Sequence, residues 1–237
     1  MVIRSELRRW WLDFVNLFFP EVCVVCGRPL VAGEKTMCLV CDVNMPRTDF
    51  HRDPDNLLHY RLIGRQPLER AAAMFHYSRH NPYSSIIVNA KYHGHPEISR
   101  EFGRRYAEEL AGEGFFEGVD ALVPVPMHWW KKARRGYNQA EEIARGISEM
   151  SGIPVIYDAM SAARHSSQTR KDAAGRMENA RRIYSVSAPE EFAGKHIMLV
   201  DDVITTGATV TACCEAIHKA VADCRVSVIA LAATTVN

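Results

Sequence analysis

The segment LVDDVITTGAT at residues 199–209 constrains the fold more than any other part of the sequence. It continues the apolar run HIMLV, which predicts a central parallel strand that is buried on both faces. We therefore expect Asp201 and Asp202 to emerge at the carboxyl end of that strand. The following residues predict a loop and the first turn of a helix, whose backbone N–H groups and dipole attract an anion. This anion-binding loop consists of Thr205, Thr206, Gly207, Ala208 and Thr209.

Two carboxylates directly before an anion-binding loop indicate the kind of ligand. Asp201 and Asp202 would repel a triphosphate alone, whereas the vicinal hydroxyls of a sugar can donate charge-assisted hydrogen bonds to them. The predicted ligand is therefore a ribose 5-phosphate, with its diol on the acids and its phosphate on the loop. A Walker-B strand is the nearest alternative, but it requires a GxxxxGK[ST] loop, which the sequence lacks. An acidic turn that only caps a helix would explain one Asp or Thr but not the whole string.

Strand and helix patterns alternate from about residue 70. This alternation predicts an α/β domain over 70–237, with a parallel sheet flanked by helices and a ligand site at the carboxyl ends of the strands. The predicted strands are AAAMFHY, VDALVPVP, GIPVIYD, KHIMLVDD and RVSVIALAAT. The predicted helices are SSIIVNAKYHG, SREFGRRYAEELAGEG, GYNQAEEIARGISEM and a segment from Gly207 to about Val221. In the third of these helices, Asn138 and Glu141 stand at the spacing of a capping box.

Four of the seven cysteines form two CxxC pairs that are separated by eleven residues. Each pair can sit on a tight knuckle, and two knuckles complete a tetrahedral shell with no open position. We therefore predict a structural zinc ion in a small, zinc-ribbon-like module at 20–46, rather than a catalytic metal. Two redox-active pairs are the alternative, but the surrounding βαβ pattern is missing. The predicted ligands are Cys23, Cys26, Cys38 and Cys41.

The two segments that flank this module have different patterns. Residues 1–19 predict an amphipathic helix that Pro20 ends, packed on the protein's own core or, alternatively, anchored at a membrane surface. The polar, turn-rich residues 47–69 predict a linker. The apolar segment at 10–20 contains Asp13 and is shorter than the roughly 20 residues that cross a bilayer. Because no small-residue cleavage site follows it, we expect a cytoplasmic protein without a transmembrane segment.

Charge gives a weak signal overall and a stronger one locally. The chain has 29 Lys and Arg against 28 Asp and Glu, so its formal charge of +1 provides no global attraction to nucleic acid. The run WWKKARRGY, however, interleaves aromatic and basic side chains as single-stranded nucleic-acid sites do. Packing tryptophans and a solvated basic face are the alternatives. The nucleic-acid candidates are Trp130, Lys131, Lys132 and Arg134.

Several blocks together resemble a known family. IMLVDDVITTGAT resembles the phosphoribosyl diphosphate (PRPP) signature of type I phosphoribosyltransferases, with Ala208 where a second glycine is usual. VPVPMHWWKKARRGYNQAE resembles the VPVP…RG[FY]NQA block of the ComF family, and residues 90–94 resemble its KYxG block. The four-cysteine module is also characteristic of that family. Its Q…R…N…[FY] spacing is matched by Gln168, Arg176, Asn179 and Tyr184.

This resemblance implies a type I phosphoribosyltransferase-like fold that binds PRPP with Mg²⁺ through Asp201, Asp202 and the loop at 205–209. It implies a role in DNA uptake during natural competence, with single-stranded DNA and other uptake proteins as partners. The predicted catalytic residues are Asp201, Asp202, Lys91 and Arg135. The two acids would position the diol with Mg²⁺. Lys91, by resemblance, and Arg135, directly before the GYNQ turn, are the candidates to neutralise a departing pyrophosphate. An active transferase with an unidentified acceptor and a regulator that senses PRPP without turnover are the alternatives. A predicted lid carries Arg164, Arg170, Lys171 and Arg176.

Overall fold

The computed structural model of the chain describes residues 20–64, 66–92, 94–162 and 184–234. The predicted helix at 1–19, the four predicted lid residues, Gln168 and Asn179 lie outside the described residues. The helices are α1 (Leu39–Val43), α2 (Leu57–Ile63), α3 (Ser84–Tyr92), α4 (Pro96–Ala111), α5 (Trp129–Arg135), α6 (Gln139–Ser151) and α7 (Ala208–Ala220). The strands are β1 (Ala71–Tyr77), β2 (Ala121–Pro124), β3 (Met160–Ala162), β4 (Tyr184–Val186), β5 (His196–Ile204) and β6 (Arg225–Thr234).

A four-stranded parallel sheet in the order β1-β6-β5-β2 forms the centre of the described structure. Side chains alternate between its faces, so that Met198 and Val200 pack under α4 and α6, while Ile197 and Leu199 pack under α7 and α2. Both faces are covered, which explains why the central strands are apolar. The predicted parallel sheet flanked by helices is therefore confirmed.

Helix α6 packs closely against α4 and begins near the carboxyl end of β2. A Cβ atom on Gly103 would overlap the carbonyl oxygen of Ile143, so the two backbones approach each other directly. Asn138 caps α6, because its side chain accepts a hydrogen bond from the N–H of Ala140 at 3.2 Å. In the described structure, Glu141 does not close the predicted capping box, because its Oε1 pairs with Nζ of Lys132 at 2.7 Å.

The cysteine module packs against the helices beside the sheet. Its buried Cys38 and Met37 belong to the same apolar core as Phe102 of α4. The Tyr83 hydroxyl donates to the carbonyl of Cys41 at 2.8 Å. Burial of these groups in a shared core joins the module to the sheet domain.

The segment at 47–69 differs from the predicted linker, because it contains a 3-10 turn (Phe50–Arg52) and helix α2. The Asn56 side chain accepts from the N–H of His59 at 2.9 Å and donates to the carbonyl of Ala71 at 2.9 Å. Leu58 and Leu62 are buried against the sheet. Two buried leucines four residues apart and a capping asparagine therefore help to fix this helix, although the segment is polar overall.

The segment GIPVIYD, which the sequence predicts to be a strand, does not form one in the structure. Only Val155 forms a β-bridge in this segment, with Leu122 of β2. Pro154 has no N–H to donate, and positive φ angles at Gly152 (74°) and Asp158 (58°) turn the chain on either side. The segment therefore touches the edge of the sheet without extending along it.

Candidate functional site

The two adjacent aspartates lie inside β5 rather than after it. Strand β5 continues to Ile204, because β6 runs beside it and pairs with Asp201 through Ala230. On the other side, β2 ends where Pro124 pairs with Val200. The acids therefore remain in the strand but stand beyond the end of β2, where the edge of the sheet is open to a ligand.

Adjacent strand residues point to opposite faces of a sheet, and Asp202 lies on the face of α3. Its Oδ2 atom is 2.7 Å from Nζ of Lys91, the residue before the last position of α3. The structure thus brings two of the four predicted catalytic residues into direct contact. Both side chains are partly exposed to solvent: 23% of the Lys91 side chain and 17% of the Asp202 side chain are accessible.

Asp201 lies on the face of α7, near Tyr184 and Cys213. Its Oδ1 accepts the backbone N–H of Asp202 at 2.8 Å. Burial, together with the neighbouring charge of Asp202, raises the pKa of Asp201 to about 7, against the weaker opposing effects of that hydrogen bond and Lys91. This carboxyl group therefore changes its charge near neutral pH.

A cavity of about 640 Å³ opens at the end of β5. Asp201, Asp202, Lys91 and Arg135 all line it, so the four predicted catalytic residues share one site. Tyr184 of the small antiparallel β3–β4 sheet lines the same cavity. Two carboxylates and two basic groups around one space can bind a ligand that has both hydroxyl and phosphate groups.

Gln139 connects the walls that carry the two basic groups, and the sequence analysis assigned it no role. Its Oε1 accepts from Nη1 of Arg135 at 2.9 Å, and its Nε2 donates to the carbonyl of Ala90 at 3.1 Å. Tyr137 also donates to the Ala90 carbonyl. Ala90 precedes Lys91, so this buried amide fixes the backbone of one basic residue and the side chain of the other. Its place in the RGYNQ block was the available signal.

The predicted anion-binding loop joins β5 to α7. Gly207 has φ 77° and caps α7, which begins at Ala208, as expected from the sequence. Thr205 and Thr206 are exposed. Among the described residues that line the cavity, Thr209 is the one that belongs to the predicted anion-binding loop.

The basic-aromatic run forms α5 at the rim of the cavity. Trp130 is 43% exposed, and the cations of Lys131 and Arg134 lie 5.9 Å and 5.6 Å from its ring centroid. Trp130 and Lys131 line the cavity. Lys132 points elsewhere, toward Glu141.

The four predicted zinc ligands come together in the module. The sulfur atoms of Cys23, Cys26, Cys38 and Cys41 all lie within 4.8 Å of one another. Tetrahedral Zn–S bonds of about 2.3 Å would place the sulfurs about 3.8 Å apart. Within the second CxxC pair, the N–H of Cys41 donates to the sulfur of Cys38 at 3.4 Å, as in a knuckle that supports bound metal. The cluster could therefore hold a zinc ion.

Among the helices that the structure describes, none is long and apolar enough to span a membrane.

Comparisons with known proteins agree with this architecture. The model of the phosphoribosyl transferase domain family matches residues 92–235. Competence protein F of Haemophilus influenzae is 32% identical over 214 residues, which cover 85% of this chain and 93% of that protein. DNA utilization protein YhgH of Escherichia coli K12 is 28% identical, with 82% of this chain and 89% of that protein covered. Competence protein ComFC of Bacillus subtilis is 24% identical, with 80% and 68% covered.

Proposed function

This chain belongs to the ComF family and contains a phosphoribosyl transferase domain, and from this premise we propose that it binds PRPP or a related ribose 5-phosphate with Mg²⁺. The supporting observation is the cavity in which Asp201 and Asp202 meet Lys91 and Arg135 beside the start of α7. Carboxylates accept hydrogen bonds from the ribose diol, and the cations balance the phosphates. The anion-binding loop at 205–209 holds the 5-phosphate.

The contact between Lys91 and Asp202 suggests how the ligand is accommodated. A ribose hydroxyl replaces Lys91 as the donor to Asp202, and the lysine then turns toward the diphosphate. Arg135, oriented by Gln139, approaches the same diphosphate from the opposite wall. Carboxylate and phosphate oxygens are the ligands that Mg²⁺ prefers, and the bound ion would neutralise part of the diphosphate charge.

Calorimetric titration of the full chain with PRPP, with and without Mg²⁺, tests this proposal. We expect saturable binding that strengthens with Mg²⁺, and a Kd at least about tenfold higher for Asp202→Asn, because a charge-assisted hydrogen bond is lost. Asp223→Asn is the matched control, since this exposed acid lies at the other end of the sheet beside β6. No binding by the wild-type chain, or equal loss in both variants, would contradict the proposal.

We further propose that the protein acts in DNA uptake by handling single-stranded DNA at α5. Trp130 provides a stacking surface, and Lys131 and Arg134 beside it can contact phosphates. Two of the relatives are named for competence and one for DNA utilization. Fluorescence anisotropy with labelled single-stranded DNA should show affinity that falls with salt and weakens in Trp130→Ala and Arg134→Ala. Trp129→Ala, outside the cavity, should have a smaller effect. Unchanged affinity in both Trp130→Ala and Arg134→Ala would contradict this proposal.

Pyrophosphate release separates the two forms of the PRPP proposal. A transferase releases pyrophosphate from PRPP when its acceptor is present, whereas a PRPP-sensing regulator binds the compound without consuming it. Nucleobases and single-stranded DNA are the acceptors to assay first. Asp202→Asn provides the background rate, because it removes a group that positions the ribose.

A further inference from the structure

Helix α2 supports the anion-binding loop from behind. Nη1 of Arg61 donates to the carbonyl of Thr205 at 2.7 Å, and its Nη2 donates to the carbonyl of Thr234 at 2.8 Å. The Thr234 hydroxyl also donates to the Thr205 carbonyl, at 3.2 Å. One guanidinium, which precedes Thr205 by 144 residues in the sequence, thus joins the start of the loop to the end of β6.

The bond from Arg61 to Thr205 determines how a peptide group is oriented. In a trans peptide, the C=O of one residue and the N–H of the next point in opposite directions. Because Arg61 holds the Thr205 carbonyl on the α2 side, the N–H of Thr206 points away from α2. Anion binding by a loop requires this arrangement, with carbonyls turned away from the anion and amides turned toward it.

A second contact from the same helix fixes the next part of the loop. A Cβ atom on Gly207 would lie 2.5 Å from Cδ2 of Leu62, so this buried leucine packs directly against the glycine. Gly207 also needs its positive φ of 77°, which other residues adopt at a cost. Arg61 and Leu62 together therefore constrain both ends of the short turn at 205–207.

We propose that Arg61 is a positioning residue for phosphate binding, which orients the Thr205–Thr206 peptide so that the loop presents its amides to the 5-phosphate. This inference rests on the proposed function, since it assigns the ligand's phosphate to the loop. Arg61 acts from the side of α2 and does not touch the ligand. A planar guanidinium can reach two carbonyls at once, which a lysine ammonium does less well.

Three variants of the full chain test the assignment. Arg61→Ala removes both contacts, and Arg61→Lys retains the charge without the planar fork. Arg52→Ala is the matched control, since this exposed arginine pairs with Glu113 and Asp49 and contacts neither the loop nor β6 in the described structure. Calorimetry with ribose 5-phosphate measures affinity. Amide hydrogen exchange without ligand measures the order of residues 205–208.

For Arg61→Ala we expect a Kd for ribose 5-phosphate about tenfold higher or more, which corresponds to loss of a charged hydrogen bond. Arg61→Lys should be intermediate, and Arg52→Ala should bind like the wild type. Amides at 205–208 should exchange faster in Arg61→Ala, while those of His196–Ile204 in β5 should keep their protection.

Wild-type affinity or unchanged loop exchange in Arg61→Ala would overturn the assignment. Equal loss of protection throughout β5 would also overturn it, because Arg61 would then stabilise the whole domain rather than the loop. If the wild-type chain binds neither ribose 5-phosphate nor PRPP, the proposed function is contradicted instead. Hydrogen exchange then decides by itself whether Arg61 orders the loop.

Discussion

Replacing Asp201 with Asn should stabilise the ligand-free protein at neutral pH and above. In the folded chain, burial and the charge of Asp202 raise the pKa of Asp201 from 3.8 to about 7. The ionised carboxylate is therefore unfavourable in the folded state but not in the unfolded state. A rise of this size corresponds to about 4 kcal/mol, which is an upper limit because water in the cavity screens the charges.

The sign and the pH window follow from linkage. Because the pKa of Asp201 is raised on folding, the folded state binds the extra proton between pH 3.8 and about 7, and wild-type stability falls as pH rises through this window. Asn does not titrate, so the stability gained by Asp201→Asn should grow across the same window. The expected gain is below about 1 kcal/mol at pH 4, about 1.7 kcal/mol at pH 5 and at most about 4 kcal/mol above pH 7.

Urea unfolding of wild type and variant between pH 4 and pH 8 measures this gain. Asp223→Asn, which replaces an exposed acid away from the site, is the control variant. Asp202→Asn should move the window to lower pH, because it removes the charge that helps to raise the pKa of Asp201. A pH-independent gain, or destabilisation of Asp201→Asn at pH 8, would refute the reasoning. PRPP affinity should fall in the same variant, as expected when a site is built at the expense of stability.

Three further predictions concern other contacts. Chelation of zinc, or the substitution Cys41→Ser, should lower the thermal unfolding temperature, because the cysteine cluster belongs to the core. Added zinc should restore the unfolding temperature of the chelated wild type. An unchanged temperature would contradict a structural metal. Gln139→Leu should weaken PRPP binding by calorimetry, since Arg135 loses an acceptor, whereas wild-type affinity would show that this link is not needed. Gly207→Ala should destabilise the chain by about 1–3 kcal/mol in urea unfolding. In the double variant, Leu62→Ala should relieve part of that cost, because it removes the atom that the new methyl group meets. Additive losses of stability in the double variant would argue against the contact between Leu62 and Gly207.

The sequence was informative where one local pattern determines the structure. The apolar run before Asp201 predicted the central strand, and the two CxxC pairs predicted the cysteine cluster. The end predicted for β5 was two residues short of Ile204, because the continuation of this strand depends on β6, which runs alongside to Thr234. Strand length is set by the partner as much as by the strand's own composition. The same dependence explains why 152–158 forms a bridge and not a strand.

The largest error, at 47–69, has the same physical origin and bears directly on function. Residues in a polar segment carry little periodic signal, so α2 could not be distinguished from a linker by composition. Its position is fixed by a few tertiary contacts, above all from Leu62 to Gly207 and from Arg61 to Thr205. A motif can identify the loop that meets a ligand, but the groups that hold the loop in shape are distant in sequence and have no fixed spacing from it. Residues that position a site are therefore found where a short, poorly patterned segment packs against a recognisable motif.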